Sequence, residues 1–122
     1  MQISDAESQI MEVLWREQPL AAEEVAAAIG DSQAWELSTV KTLLNRLLKK
    51  GAVAADKDGR RYLYRPLIER ADYVHAESKS LLDRLFGGRV APLVAHFSEQ
   101  RRLSKKDIAE LKRLLQELDD GH

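Results

Sequence analysis

The sequence contains no cysteine among its 122 residues. It therefore offers no disulfide framework, no thiolate nucleophile and no soft ligand set of the kind that copper(I) prefers. Histidine occurs only at positions 75, 96 and 122, too far apart for a local ligand pair, and no His-Glu-x-x-His motif is present. Gly87-Gly88 lacks the lysine of a phosphate-binding P-loop. These absences predict a protein without a metal, a cofactor or a catalytic site.

Long apolar runs are lacking as well. No stretch approaches the roughly 18 to 20 apolar residues that cross a bilayer, and the opening MetGlnIleSerAspAlaGlu has neither the basic nor the apolar segment of a secretion signal. We therefore expect no membrane insertion and a cytoplasmic location. The composition, 44% hydrophobic and 32% charged, is typical of a soluble globular protein.

Positive charge is scarce in the first third of the chain and concentrated directly after it. Residues 1–37 contain one cation against eight acids, a net charge of −7, although the whole chain carries only −1. Residues 38–65 contain eight cations against two acids, a net charge of +6. A basic field confined to 28 consecutive residues is typical of a nucleic-acid docking surface.

The segment from Ser38 to Gly51 has the pattern of an amphipathic helix. Its apolar residues recur at intervals of three and four: Val40, Leu43, Leu44, Leu47 and Leu48. Ser38 is the predicted N-cap, and Gly51 is the predicted left-handed residue after the helix. The opposite face has no acid, only the cations, amides and hydroxyls that contact phosphates and base edges. An ordinary basic solvated face fits this helix alone equally well, so the neighbouring elements decide.

These neighbours predict a winged helix-turn-helix. A capping box, Ser4 with Glu7, starts a helix over about 5 to 17, and a second helix over about 21 to 29 stops at Gly30. Asp58-Gly59 predicts a hairpin with a type I′ turn, which follows the third helix as a wing. The residues predicted to contact DNA are Ser38, Thr39, Lys41, Thr42, Asn45, Arg46, Lys49, Lys57, Arg60 and Arg61.

The chain after Ile68 predicts helices without a basic bias. Gly87-Gly88 separates the first two, and Leu103, Ser104 and Ile108 predict a hydrophobic staple at the start of the last. About 50 residues supply too little core to stand alone, so we expect a homodimer. The predicted interface residues are Val74, Leu81, Leu85, Val94, Phe97, Ile108, Leu111, Leu115 and Leu118. The predicted fold is mainly α with a small β-hairpin wing, comprising a winged-helix DNA-binding domain at 1–67 and a helical dimerisation domain at 68–122.

Several segments together resemble the penicillinase and methicillin-resistance repressor family. They are IleSerAspAlaGlu at 3–7, ThrValLysThrLeuLeuAsnArgLeuLeuLysLysGly at 39–51, LysAspGlyArgArgTyrLeuTyrArgProLeu at 57–67, GlyGly at 87–88 and ValAlaHisPhe at 94–97. The resemblance implies a dimeric repressor that binds a palindromic operator in double-stranded DNA and blocks transcription of β-lactamase or related resistance genes.

The resemblance also implies a mode of release. In that family a membrane-bound sensor protease leads to cleavage before a phenylalanine late in the chain, and the corresponding bond here is His96-Phe97. His96 stands where the family usually has asparagine. A related branch senses copper through a cysteine cluster, and this chain has no cysteine with which to do so.

An alternative of a different class is a winged helix that mediates only protein contacts, because fold alone does not fix function. The acid-free outer face of residues 39–50 and the basic wing favour DNA binding over this alternative. A small enzyme is a third and weaker alternative, because no site for one can be assembled from the sequence.

Overall fold

The computed structural model describes residues 2–30 and 33–121. Asp31 and Ser32, in the predicted loop before the third helix, and His122 lie outside the described residues. The elements are, in order, α1 (Asp5–Arg16), α2 (Ala22–Ile29), α3 (Leu37–Lys50), β1 (Val53–Asp58), β2 (Arg61–Pro66), α4 (Arg70–Leu85), α5 (Val90–Glu99) and α6 (Lys105–Asp120). This order confirms the predicted fold class, mainly α with a β-hairpin wing. The chain divides into two compact units, residues 1–74 and 75–122.

The first two helices begin and end close to their predicted limits. The Ser4 hydroxyl accepts a hydrogen bond from the Glu7 amide at 3.1 Å, and the Glu7 carboxylate accepts one from the Ser4 amide at 3.0 Å. The predicted capping box is therefore confirmed. Helix α2 ends at Gly30, whose φ of 60° is open to glycine at little cost.

Helix α3 starts two residues earlier than predicted. The Glu36 carbonyl accepts hydrogen bonds from the amides of Thr39 and Val40 at 3.0 and 3.2 Å, so Glu36 is the N-cap. The prediction of Ser38 as the N-cap was wrong, because Ser38 already lies within the first helical turn. At the other end Gly51 adopts the predicted left-handed conformation, with φ 78° and ψ 16°.

The hairpin turn is shifted by one residue from its predicted position. Asp58 pairs with Arg61 across the ladder, so the two loop residues are Gly59 and Arg60 rather than Asp58 and Gly59. Among the described residues of this turn only Gly59 has a positive φ, 65°. A type I′ turn needs a positive φ at both loop positions, whereas type II′ needs it only at the first. The type I′ prediction was therefore wrong, and the φ pattern is that of type II′.

The core of the first unit lies between α1, α2, α3 and the inner face of the hairpin. Its fully buried large side chains include Ile10, Met11, Leu14, Val25, Val40, Leu44, Leu47 and Val53. The amides and carbonyls of Leu20 and Tyr64 exchange two hydrogen bonds, at 3.0 and 2.7 Å, which fasten the wing to the loop between α1 and α2. Because the apolar stripe of α3 is buried in this core, its polar face points outward.

The first unit extends beyond the hairpin into the start of α4. The Trp15 indole N–H donates to the Ile68 carbonyl at 2.9 Å, and its ring centroid lies 5.5 Å from that of Tyr73. Arg70 Nε lies 3.1 Å from a carboxylate oxygen of Glu12. Because of these contacts the compact unit runs to Val74, seven residues past the predicted boundary at residue 67.

The second unit consists of the rest of α4 with α5 and α6. Ser104 caps α6 as predicted: its hydroxyl accepts from the Asp107 amide at 3.0 Å. In α5 and α6 no described residue is buried. Large apolar side chains of the second unit are exposed, among them Leu85 of α4 and Leu115 and Leu118 of α6. None of the helices in the described part of the chain is long and apolar enough to cross a membrane.

Candidate nucleic-acid interface

All ten residues predicted to contact DNA are solvent-exposed. Seven of them lie on α3, where the buried stripe fixes which way they point: Ser38, Thr39, Lys41, Thr42, Asn45, Arg46 and Lys49. The other three, Lys57, Arg60 and Arg61, lie on β1, in the turn and on β2. No acid lies within α3, so its outer face offers only positive charge and neutral hydrogen-bonding groups.

The structure separates the eight cations of residues 38–65 into two groups. Three form ion pairs: Lys50 with Glu7 at 2.6 Å, Arg65 with Asp56 at 2.9 Å, and Arg61 with Asp58 and Glu24 at 3.6 and 3.7 Å. Within residues 2–30 and 33–121 the other five have no ion-pair partner: Lys41, Arg46, Lys49, Lys57 and Arg60. These five, which we call the unpaired cations, are free to neutralise phosphates without first breaking an internal pair.

The hydroxyl of Thr42, on the outer face of α3, already donates its hydrogen bond within the helix. Its hydroxyl donates to the Ser38 carbonyl at 3.0 Å, so its one proton is already used. Toward DNA, Thr42 therefore offers an acceptor and a methyl group. Those groups suit the exocyclic amines of adenine and cytosine and the thymine methyl in a major groove.

Among the predicted contact residues, Arg61 is the one whose charge is balanced by ion pairs with other described residues. It is exposed and pairs with Asp58 on its own hairpin and with Glu24 on α2. Exposed pairs of this kind contribute only about 0 to 1 kcal/mol, so Arg61 is held weakly. The sequence did not show that Arg61 is ion-paired whereas Arg60 is not, because Glu24, a partner of Arg61, lies 37 positions away.

A cleft beside α3 contains residues that the sequence did not single out. It lies between the start of α2, the outer face of α3 and the wing, and Glu23, Tyr62 and Tyr64 line it together with predicted contact residues. Two residues apart on β2, Tyr62 and Tyr64 are expected on one face of the strand, with Leu63 on the other. The observed burial differs, because Tyr64 is buried whereas Tyr62 is exposed. The sequence signal that could have indicated this cleft is the presence of two tyrosines among the cations of the wing.

The predicted cleavage residues lie in the second unit, inside α5. The ring centroids of His96 and Phe97 are 5.2 Å apart, and His96 is 6.2 Å from Phe86. Among the described residues no group of three His, Cys, Asp or Glu side chains could hold a metal ion.

The comparisons with known proteins agree with this geometry. The sequence model of the penicillinase repressor family matches residues 3–117. The penicillinase repressor of Bacillus licheniformis is 38% identical over 116 residues, covering 95% of this chain and 91% of that protein. The methicillin resistance regulatory protein MecI of Staphylococcus aureus strain N315 is 32% identical over 114 residues, covering 93% of each.

One of the similar solved structures is a complex with DNA. It is the solution structure of the Bacillus licheniformis BlaI monomeric form in complex with the blaP half-operator. It is 40% identical, covers 60% of this chain and 89% of that one, and has a TM-score of 0.52.

The winged-helix fold, the acid-free face of α3 and these similarities define a DNA-binding transcriptional repressor. The relatives are transcriptional regulators rather than enzymes. More particularly, the chain belongs to the penicillinase repressor family.

Proposed function

We propose that this protein represses a β-lactamase or related resistance gene by binding, as a homodimer, to a palindromic operator in the cytoplasm. The observation that carries the proposal is the outer face of α3, which has no acid and bears three of the five unpaired cations. A helix of this kind fits the major groove, while the wing lies along the neighbouring backbone. The penicillinase repressor of Bacillus licheniformis, by its name, acts on such a gene.

The exposed side chains divide by chemistry into those that read bases and those that hold the backbone. Asn45 carries an amide that can pair bidentately with adenine, and Arg46 a guanidinium that can do so with guanine. Both are exposed on α3. Lys49, Lys57 and Arg60 have no ion-pair partner among the described residues, so we assign them to phosphates.

Dimerisation is assigned to the second unit because its apolar side chains are not covered within it. In α6, Ile108, Leu115 and Leu118 are exposed and Leu111 is half-buried, at spacings of three and four residues. Leu81 and Leu85 in α4, and Phe97 in α5, are also exposed. A second copy of the same stripe would remove this surface from water and would match a two-fold operator.

Release from the operator is assigned to cleavage of the His96-Phe97 bond by a sensor protease. The bond lies within α5, and the carbonyls on its two sides accept hydrogen bonds from Gln100 and Arg102 at 3.1 and 2.9 Å. A protease needs the chain locally open, so cleavage requires the end of α5 to unwind first. No described residue of α5 is buried, so little burial opposes such opening.

Footprinting the purified protein on the DNA upstream of its own gene tests the proposal. We expect a protected region made of two symmetric half-sites. Affinity should fall with salt at a slope of about −5 to −7 in log K against log salt, if three or four unpaired cations per subunit contact phosphates. Replacing Lys49 by glutamine should make the slope less steep, whereas the same change at the ion-paired Arg65 should alter it less. A slope near zero would contradict the DNA-binding role.

A further inference from the structure

We propose that the cleft between α2, α3 and the wing binds one phosphodiester group of the DNA backbone. The cleft has a volume of about 140 Å³, and its lining includes Glu23 of α2, Lys41 of α3, and Arg60, Arg61, Tyr62 and Tyr64 of the wing. This inference rests on the proposed function and adds a specific backbone site to it.

Tyr64 supplies the first reason. Only 8% of this residue is exposed and its ring belongs to the core, yet it also lines the cleft. Its hydroxyl has no hydrogen-bond partner in the described part of the chain, and it is not among the side-chain atoms fully closed off from solvent. A nearly buried residue thus keeps an unused donor. Because burial raises the pKa of Tyr64, and the nearby Tyr62 and Glu23 raise it further, the hydroxyl stays protonated at neutral pH.

The charge of the lining supplies the second reason. Arg61 is compensated by Glu24 and Asp58, whereas Lys41 and Arg60 have no ion-pair partner among the described residues. Glu23 subtracts one charge, so Lys41, Arg60 and Glu23 together leave a balance of +1. A backbone phosphate carries one negative charge. The cleft therefore matches a phosphodiester, and Glu23 disfavours anions of higher charge.

The position of the cleft gives the site its role. Lys41 stands on the outer face of α3, and Arg60 stands in the wing turn. A phosphate held by both would fix the helix and the wing to the same point of the backbone. Backbone contacts of this kind set the register in which base-reading residues meet the groove.

The test measures how the two cations share the phosphate. Full-length protein is titrated onto a fluorescein-labelled duplex of mixed sequence, over a range of salt concentrations. If Lys41 and Arg60 neutralise the same phosphate, the variant with both Lys41→Gln and Arg60→Gln should lose about 0.9 from the slope per subunit. The matched control combines Lys49→Gln with Lys57→Gln, two unpaired cations that do not line the cleft, and should lose about 1.8 per subunit.

Two further variants probe the neutral and the acidic groups. Tyr64→Phe should bind the same duplex about ten-fold more weakly at an unchanged slope, because the lost hydrogen bond carries no charge. A thermal melt checks that this variant is folded. Glu23→Gln changes an exposed side chain and should tighten binding, because it removes the acid from the lining of the cleft.

The inference is overturned if the Lys41 and Arg60 changes add up to the control value, or if both Tyr64→Phe and Glu23→Gln bind like the parent. The proposed function fails in a different way, through a parent slope near zero. The two failures are therefore distinguishable.

Discussion

Glu7 Oε1 lies 2.6 Å from Lys50 Nζ, so a carboxylate in the first turn of α1 holds the last residue of α3. Glu7 is 2% exposed and the Lys50 side chain 34%. The same oxygen accepts the Ser4 amide, while Oε2 is buried with no hydrogen-bond partner among the described residues. One carboxylate thus serves both the cap of α1 and the end of the helix that we assign to the major groove.

Removing either partner should destabilise the first unit, but by different amounts. Glu7→Gln keeps an acceptor for Ser4 and leaves a partly solvated lysine, so we expect a loss of about 1 to 2 kcal/mol. Lys50→Met leaves a buried carboxylate without its cation, so we expect a larger loss, about 2 to 4 kcal/mol at pH 7. Urea unfolding of both variants measures the difference. Equal losses would show that burial of the charge is not the dominant cost.

The same pair predicts a pH dependence. Burial alone raises the pKa of Glu7, but the hydrogen bonds from Lys50 and Ser4 and the charge of Lys50 outweigh it, so the pKa lies below its ordinary value of 4.5. A carboxyl whose pKa is lower in the folded than in the unfolded protein stabilises the fold. This stabilisation is full above the pKa of the unfolded state and is lost as the pH falls through the pKa of the folded state. The stabilisation that Glu7 gives the parent should therefore be full above about pH 4.5 and be lost as the pH falls below it, so the stability gap between the parent and Lys50→Met should be smaller at pH 3 than at pH 7. A gap unchanged at pH 3 would contradict this assignment.

The sequence was sufficient to predict α3 because its stripe, its polar face and Gly51 are all local signals. It misplaced the start of the helix because Glu36 caps it through its backbone alone, and no side chain marks that position. The turn was misplaced for a related reason. Asp58-Gly59 is the dipeptide that favours a turn, but the pairing of Asp58 with Arg61 decides which residues lie in the loop.

The state of the cations could not be predicted from the sequence. In the sequence both Lys50 and Arg60 are cations of the same basic segment. In the structure Lys50 forms an ion pair with Glu7, 43 positions away, whereas Arg60 has no ion-pair partner among the described residues. The unused hydroxyl of Tyr64 is likewise a product of packing. Long-range contacts of this kind depend on how α1, α2 and the wing meet, which periodicity does not specify.

The division between reading and holding is testable on two DNAs. Whichever of Thr39, Lys41, Thr42, Asn45 and Arg46 contacts a base edge should, as the alanine variant, lose roughly 1 to 3 kcal/mol on the operator and much less on random DNA. Arg60→Ala should weaken binding to both DNAs about equally, because phosphate contacts carry no sequence information. Fluorescence anisotropy titrations give both affinities. Equal losses on both DNAs at all five positions would show that α3 only positions the protein.

The dimer assignment is tested by placing an acid on the stripe of α6. Leu115 is 62% exposed in the single chain, so Leu115→Glu should leave each chain folded. Between two subunits the charge would lie in an apolar seam and cost several kcal/mol. Sedimentation should show a monomer where the parent is a dimer. Gln116→Glu adds the same charge beside it, outside the predicted stripe, and should stay dimeric. A dimeric Leu115→Glu variant would place the interface elsewhere, for example on α4.

Truncation at the proposed cleavage site tests how release would work. A chain that ends at His96 lacks α6 and the end of α5 but retains every residue of the first unit. Its α3 surface is unchanged, so it should bind a single half-site about as well as the intact protein. The full palindrome should differ, because in a dimer the second half-site is bound almost intramolecularly, an advantage of about 100-fold to 10,000-fold. Gel-shift titrations of both proteins on both DNAs measure this advantage directly. If the truncated chain holds the palindrome as tightly as the intact one, dimerisation does not depend on α6, and cutting His96-Phe97 would not release the operator.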